Sequence, residues 1–338
     1  MLRRLLMTFG VCLVVNVFFV AFPVNTAAQN GLLVTGPDEG FDPVVRLINT
    51  QTGEYRFSFR AYPQNFTGGV RVATGDVNGD GVFEIITAPG PGMRPNVRIF
   101  EQHPRRGVRQ VGSFLAYRAN FHGGVYVAAG DINGDGRDEI ITGAGAGGGP
   151  VVRVVDGTSN TILLSFLAYD PSFLGGVRVA TGDVNGDGRA EIITGAGPGG
   201  GPHVKVFNPV DWSLMDSFLA YDLNFTGGVF VAAGDVNGDG FADVVTGPGA
   251  GGGPHVKIFD AHNNLMLLHS FFAFPPMFTG GVRVGFLDFN NDGNLDVIVG
   301  AGPGAGPHVR VFDLSTQNVL GSFLPYPNFL GGVFVAGG

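Results

Sequence analysis

Residues 175–221 read GGVRVATGDVNGDGRAEIITGAGPGGGPHVKVFNPVDWSLMDSFLAY. GGVRVATGD alternates apolar with other residues, EIITG carries a continuous apolar pair, and HVKVF and SFLAY are two further short runs. Alternation with a period of two, and short apolar runs bounded by Gly, Pro, Asn and Asp, are typical of β-strands. The stretch therefore predicts four strands joined by tight turns, without a helix.

The same pattern recurs along the chain. Gly-Gly-Val begins at Gly68, Gly123, Gly175, Gly227, Gly280 and Gly331, at steps of 55, 52, 52, 53 and 51 residues. A second marker, Ser-Phe-x-x-aromatic, ends on Tyr62, Tyr117, Tyr169, Tyr221, Phe274 and Tyr326. Four short strands repeated at a period near 50 predict a β-propeller.

The two ends of the repeat region complete one unit between them. Residues 31–36 match a second strand, and VVRLI and FSFRAY match a third and a fourth, whereas residues 331–338 match a first strand. We therefore expect an all-β, six-bladed propeller of four-stranded antiparallel blades, with one blade closed by both chain termini. The residue after Gly-Gly-Val alternates between arginine and an aromatic, an alternation that closes without a seam only in an even-bladed ring. The series is Arg71, Tyr126, Arg178, Phe230, Arg283 and Phe334.

The first residues differ from the repeats. Arg3 and Arg4 precede an apolar run over residues 5–22, and small residues follow at 26–28. This layout predicts a secretory signal peptide over residues 1–28, before a propeller over residues 29–338. A retained membrane anchor is the alternative, since the run is close to spanning length. Cleavage would remove Cys12, the single cysteine, and leave a secreted, periplasmic or cell-surface protein without disulfides or a transmembrane segment.

The charge balance limits the partners. After residue 28 the chain carries 18 Lys and Arg against 28 Asp and Glu, a net charge of −10. Nucleic-acid-binding proteins are usually basic, so we expect no nucleic-acid partner.

Each complete unit carries the motif D-x-N-x-D-G-x-x-(D/E) after its first strand. Calcium takes six to eight oxygen ligands, which side chains at positions 1, 3, 5 and 9 and the backbone carbonyl at position 7 can supply. The predicted ligands are Asp76, Asn78, Asp80, Val82 and Glu84; Asp131, Asn133, Asp135, Arg137 and Glu139; Asp183, Asn185, Asp187, Arg189 and Glu191; Asp235, Asn237, Asp239, Phe241 and Asp243; and Asp288, Asn290, Asp292, Asn294 and Asp296.

These loops have two interpretations. They are not EF-hands, which need a glutamate at position 12, where one loop has Thr194. A metal-free hairpin turn remains the alternative, since Asn-Gly and Asp-Gly favour such turns. An acid at position 9 in all five loops favours calcium, and about five Ca²⁺ per chain would offset the net charge of −10.

The series F-x-GG-V, DVNGDG with an acid at position 9, and EIITGAGPGGGP resembles the FG-GAP repeat, also called the VCBS-type repeat. It is similar to the propeller at the N-terminus of integrin α subunits, although those have seven blades and this chain has six copies. The resemblance implies calcium at the loop positions named above. It also implies a binding or adhesion module with an extracellular protein or glycan as partner.

Three other patterns require interpretation. GAGPGG at 195–200 has the spacing of a dinucleotide-binding fingerprint but joins two strands, so we expect close backbone packing and no nucleotide. His203, His255 and His308 occupy equivalent positions in different blades, where strand packing is favoured over a metal ring. A basic residue follows two positions later, and we expect a structural ion pair in which the loop acids are the candidate partners. The six are Arg46, Arg98, Arg153, Lys205, Lys257 and Arg310.

The arginines of the alternating series are the best ligand candidates. The first strand of a propeller blade usually runs nearest the axis, so Arg71, Arg178 and Arg283 could line the channel and bind an anionic ligand. Stacking between blades is the alternative.

The sequence offers no HExxH or GxSxG, and its paired carboxylates serve the loops, so we expect no enzyme. A carbohydrate-binding lectin and a calcium-dependent lyase or hydrolase on the same scaffold are the alternatives to an adhesion module.

Overall fold

The computed structural model describes residues 32–50, 52–103 and 107–337. In this part of the chain, 24 strands form six four-stranded antiparallel sheets, and no helix is present. One sheet has the order β24-β1-β2-β3, and every other sheet contains four consecutive strands. The six-bladed propeller predicted from the repeats is confirmed. The predicted signal peptide and Cys12 lie outside the described residues.

The strands follow the units read from the sequence. The closing blade contains β1 (Leu32–Pro37), β2 (Val44–Asn49), β3 (Tyr55–Arg60) and β24 (Val333–Gly337). The other blades contain β4 (Val70–Gly75), β5 (Glu84–Pro89), β6 (Asn96–His103) and β7 (Gly107–Leu115); β8 (Val125–Gly130), β9 (Glu139–Ala144), β10 (Val151–Val155) and β11 (Ile162–Leu167); β12 (Val177–Gly182), β13 (Glu191–Ala196), β14 (His203–Phe207) and β15 (Leu214–Leu219); β16 (Val229–Gly234), β17 (Asp243–Pro248), β18 (His255–Asp260) and β19 (Met266–Phe272); and β20 (Val282–Leu287), β21 (Asp296–Ala301), β22 (Val309–Phe312) and β23 (Val319–Phe323).

The hydrophobic core lies between neighbouring blades. The second strand of a blade, such as β13, is buried at all six positions, as its continuous apolar pair indicates. The fourth strand, such as β15, alternates between exposed and half-buried residues because it lies at the outer edge. One core cluster joins Val34 and Leu47 of the closing blade to Val70 and Ile85 of the next blade. Each blade is therefore stabilised by its two neighbours.

The closing blade is joined by backbone pairing between the two ends of the propeller. β24 pairs antiparallel with β1 from Leu33↔Gly337 to Pro37↔Val333. Val333, Phe334 and Val335 are at most 8% exposed. The predicted closure is confirmed, and the closing strand contributes both hydrogen bonds and apolar burial.

A recurring pair of an aromatic and a basic residue forms the joint between blades. At each joint the basic side chain donates a hydrogen bond to a backbone carbonyl of the preceding blade, as Arg153 does to Ala116 (2.7 Å). It also lies over that blade's aromatic ring, 4.9–5.3 Å from the centroid. Such cation–π contacts contribute about 0.5–2 kcal/mol. The predicted ion pair is therefore wrong: each side chain extends into the joint, where a carbonyl and an aromatic face are within reach. The six pairs are Arg46 on Tyr326, Arg98 on Tyr62, Arg153 on Tyr117, Lys205 on Tyr169, Lys257 on Tyr221 and Arg310 on Phe274.

We expect Tyr117→Phe to lower the free energy of unfolding by about 1–3 kcal/mol, because it removes a buried hydrogen-bond donor. The Tyr117 hydroxyl lies 3.0 Å from the carbonyl oxygens of Thr142 and Val151 in the next blade. Urea denaturation measures the change. Tyr55→Phe is the matched control, because the Tyr55 hydroxyl contacts the Leu324 carbonyl at 3.0 Å on the exposed outer edge. Equal losses for both variants would contradict the role of the buried joint.

Candidate functional site

The five D-x-N-x-D-G loops lie at one face of the propeller. Each loop connects the first strand of its blade to the second, and its position-9 acid is the first residue of that second strand. In one blade Gly182 pairs with Glu191 across the end of the hairpin, and residues 183–190 form the loop. The repeat of this register in all five blades places the five loops in equivalent positions.

The position-1 carboxylate organises each loop through backbone N–H groups. In the loop from Asp183, one carboxylate oxygen accepts from the N–H groups of Gly186 (2.6 Å) and Asp187 (3.2 Å). The other oxygen accepts from Gly188 (2.8 Å). Gly188 has φ of 82°, a left-handed conformation that favours glycine. The loop thus curls around its first aspartate.

The position-9 acid is buried beneath the loop. Glu191 accepts hydrogen bonds from the backbone N–H of Val184 (2.9 Å) and from Asn185 Nδ2 (2.6 Å). Where position 9 is the shorter aspartate, the asparagine bonds elsewhere: Asn237 Nδ2 donates to Asp239 at 3.1 Å. The five acids are at most 3% exposed: Glu84, Glu139, Glu191, Asp243 and Asp296.

These buried acids have no basic partner among the described residues. Burial, with further contributions from the neighbouring loop aspartates, raises the pKa of Glu84, Glu139, Glu191 and Asp243 to about 7. The same causes raise the pKa of Asp296 to about 6. None of the ion pairs formed by the described residues includes a loop acid. A buried carboxylate of this kind is stabilised by a proton or by a bound cation.

The loop residues fit a hard cation by the chemistry of their donors. In the loop from Asp183, two aspartates, the amide oxygen of Asn185, the carbonyl of Arg189 and Glu191 are all oxygen ligands, the type that calcium prefers. Across the ranges that the structure describes, no group of three or more His, Cys, Asp or Glu side chains forms a ready metal cluster. In the loop from Asp183 the carboxylates of Asp183 and Glu191 accept hydrogen bonds from backbone N–H groups.

Three backbone hydrogen bonds join four of the five loops to one another. The backbone N–H of the residue at position 8 donates to the carbonyl of the position-1 aspartate in the preceding blade. The bonds are Asp138 to Asp76 (2.9 Å), Ala190 to Asp131 (2.8 Å) and Ala242 to Asp183 (2.7 Å). Ordering of one loop therefore acts on the next blade as well as on its own.

Four further acids face the loops and were not identified from the sequence. They lie at or near the end of the third strand, and their charges raise the pKa of the position-9 acid of the same blade. The signal was present, since an acid occupies this position in four of the five blades with a loop, and Asn208 occupies it in the fifth. The four are Glu101, Asp156, Asp260 and Asp313.

We expect the metal-free protein to lose stability as pH rises from 5 to 8. Folding raises the pKa of Glu191 from 4.5 to about 7. Between these two pH values the carboxyl is mostly protonated in the folded protein and mostly ionised in the unfolded chain. Folding then takes up protons between these values, so the free energy of unfolding falls through that range. Thermal denaturation of calcium-stripped protein in calcium-free buffers at pH 5, 6, 7 and 8 tests this. A melting temperature that stays level or rises would contradict it.

The alternating arginine and aromatic series surrounds the propeller axis. A cavity of about 70 Å³ is lined by the second and third residues of the six first strands. Arg178 Cζ lies 3.8 Å from the ring centroid of Phe230 and 5.9 Å from that of Tyr126, in the two flanking blades. Arg71 and Arg283 stack in the same way. The sequence left two alternatives for these arginines, lining of the channel and stacking between blades. The three arginines do both.

The glycine-rich segment at 195–200 connects β13 to β14 and does not open a helix. A Cβ atom on Gly197 would lie 1.9 Å from the carbonyl oxygen of Gly175, so only glycine fits there. The expected close backbone packing is confirmed.

The three equivalent histidines pair with serines of the fourth strand. The Nε2 atom of His203 lies 2.7 Å from Ser217 Oγ, and His255 and His308 form equivalent pairs. This geometry supports the packing interpretation of the histidines.

Comparison with known proteins agrees with these features. The family described as FG-GAP repeat matches residues 124–160 and 175–206, each segment covering a first strand, a D-x-N-x-D-G loop and the strands that follow. The chain is an FG-GAP-type β-propeller. The FG-GAP propeller is also 33% identical to human integrin alpha-8 over 82 residues. That match covers 24% of this chain and 8% of integrin alpha-8, and mouse integrin alpha-8 matches over the same length at 32% identity.

One solved structure supports the fold of the FG-GAP propeller. A protein of unknown function from Bacteroides caccae superposes with a TM-score of 0.57 at 12% identity, over 91% of this chain and 99% of that protein. The rhamnogalacturonan lyase YesX reaches a TM-score of 0.43 at 15% identity, over 90% of this chain and 66% of the lyase, and supports no functional inference. Of the segments described, none is a helix long and apolar enough to cross a membrane.

Proposed function

We propose that the FG-GAP propeller is a secreted, calcium-stabilised module that binds an extracellular protein. The observation that carries the proposal is the set of five equivalent loops, each with a buried, unpaired acid, on a scaffold similar to part of integrin alpha-8. The integrin resemblance supports ligand binding outside the cell, and it favours a binding protein over an enzyme.

In the proposed holoprotein each loop holds one Ca²⁺, for about five per chain. The carboxylates at positions 1, 5 and 9, the amide oxygen at position 3 and the carbonyl at position 7 would be the ligands. The bound ion would supply positive charge to loop acids that form none of the ion pairs seen among the described residues. Since hydrogen bonds join the loops from Asp76, Asp131, Asp183 and Asp235, occupancy would stabilise these four loops together rather than one hairpin.

The opposite face carries the proposed binding surface. The F-x-GG loops precede the first strands, so they lie at the end of the propeller away from the metal loops. Four consecutive blades present an apolar side chain there that is 59–92% exposed: Leu174, Leu223, Met277 and Leu330. Exposed apolar groups of this kind are typical of protein interaction surfaces. Backbone hydrogen bonds from the glycine-rich connection of the preceding blade, such as Gly147 N to Leu174 O at 2.8 Å, hold these loops in place before binding.

The test is binding of the protein to arrays of extracellular-matrix proteins and of glycans, each in calcium and in EGTA. We expect calcium-dependent binding to a protein, weakened at least tenfold (order-of-magnitude estimate) by Met277→Ser combined with Leu330→Ser, with an unchanged melting temperature. Leu163→Ser is the control, because Leu163 is 52% exposed but lies on the outermost strand β11.

Two outcomes would contradict the proposal. Binding to glycans alone would assign the protein to the lectins. Binding to neither array by folded, calcium-loaded protein, or equal losses for the control and the double variant, would remove the support for this surface.

A further inference from the structure

The three axial arginines are buried charges that the protein only partly neutralises. Arg71, Arg178 and Arg283 are 5–8% exposed. Arg283 forms an ion pair with Asp38, which is itself largely buried. Among the described residues, Asp38 is the one acid that pairs with this group, so two positive charges remain at the axis.

The internal repeat explains why two arginines lack a counter-charge. Asp38 directly follows the segment Thr35-Gly36-Pro37, at the position that is glycine in the other five blades. For Arg178 the equivalent neighbour is Gly249, and a Cβ built on Gly249 would lie 3.2 Å from Arg178 Nη2. The chain therefore places the carboxylate of Asp38 beside Arg283, and it places a glycine at the equivalent position beside Arg178.

The remaining contacts compensate these charges incompletely. Arg178 Nη1 donates to the carbonyl of Ala196 (3.2 Å), and Arg71 Nη1 approaches that of Gly68 at 3.5 Å. Burial lowers the pKa of Arg178, and the charges of Arg283 and Arg71 lower it further, whereas Tyr126 acts in the opposite direction. The three guanidinium groups thus repel one another across a shared cavity.

We propose that the axial cavity binds one small tetrahedral oxyanion, of the sulfate or phosphate class. The arginines belong to every second blade of a six-bladed ring, so they are a third of a turn apart and match three oxygens of such an anion. The cavity of about 70 Å³ is large enough, since about 10–15 Å³ of such space holds one water molecule. Guanidinium groups are well suited to oxyanions because they donate several hydrogen bonds in one plane. The anion would complete the charge balance that Asp38 begins.

Sulfate is the probe, because phosphate would precipitate calcium. We expect the melting temperature of the calcium-loaded protein to rise with sulfate at constant ionic strength, relative to chloride, with about one sulfate bound per chain by calorimetry. Arg178→Met, which keeps an unbranched side chain over Phe230, should weaken binding at least tenfold (order-of-magnitude estimate). Arg153→Met is the matched control, since Arg153 makes the same kind of contact at a blade joint away from the axis, and it should bind sulfate as the wild type does.

Absence of sulfate binding to the wild-type protein, or equal binding by both variants, would overturn the proposal. If Arg178→Met does not fold, wild-type crystals soaked in selenate decide the question. An anomalous peak in the axial cavity is expected, and a cavity that holds only water, or peaks only elsewhere, would overturn it.

Discussion

Removal of calcium is expected to lower the melting temperature of the protein by roughly 20 °C or more. A ligand present at 100 times its dissociation constant adds about 2.7 kcal/mol per site, so five independent sites add on the order of 10 kcal/mol. In a domain of this size each kcal/mol shifts the melting temperature by about 2–4 °C. The physical reason is the set of five buried acids, which repel neighbouring aspartates when no cation is bound. Differential scanning calorimetry in calcium and in EGTA measures the effect.

Magnesium at equal concentration is the control for ionic strength. Mg²⁺ requires near-ideal octahedral geometry and dehydrates reluctantly, so it should restore little of the lost stability. Identical melting temperatures in calcium, magnesium and EGTA would contradict a structural role for the loops as metal sites.

Deletion of β24 is the second change with a large expected effect. A chain that ends at Gly332 loses the strand that pairs with β1, and with it the buried side chains of Val333, Phe334 and Val335. Burial of a Val or Phe side chain contributes about 1.5–3 kcal/mol, and the free edge of β1 would expose unpaired backbone groups. This loss approaches the whole free energy of unfolding of a typical domain. We therefore expect the deletion variant either to aggregate or to melt roughly tens of degrees below the full chain.

A circular permutant separates ring closure from chain shortening. Leu33 and Gly337 are paired residues, so a short linker can join the two ends as a hairpin, with new termini placed between β3 and β4. This permutant keeps every strand, and we expect it to fold with a melting temperature close to that of the unpermuted chain. An unaffected deletion variant, or an unfolded permutant, would show that closure by β24 is not what stabilises the ring.

The fold could be predicted from the sequence because each blade repeats a complete local pattern. The spacing of Gly-Gly-Val gave the number of blades, and the incomplete units at the two ends gave the closure through β24 and β1. The contacts between blades could not be predicted in the same way. Arg153 was expected to pair with an acid, but it extends to the carbonyl of Ala116 and the ring of Tyr117 in the preceding blade. Such contacts depend on how the blades pack, which periodicity alone does not contain.

For the candidate sites too, residues close in sequence could be predicted, whereas contacts between strands and blades could not. The donor residues of each loop are adjacent in sequence, so their type and spacing were sufficient to predict them. The hydrogen bond from Asp138 N to Asp76 O joins two blades, and the acid Asp156 approaches Glu139 only once the third strand is packed beside the second. The pairing of Asp38 with Arg283 likewise joins residues 245 positions apart. Only the folded ring brings these groups together.

The most direct test of calcium binding is the metal content of the protein. We would titrate calcium-stripped protein with Ca²⁺ by calorimetry, and repeat the titration with a variant that carries Asp183→Ala and Asp187→Ala in one loop. The predicted result is about five ions per chain for the wild type and one fewer for the variant, since each loop supplies its own ligands. No binding by folded wild-type protein, or a stoichiometry that the double substitution leaves unchanged, would contradict the assignment of the loops as calcium sites.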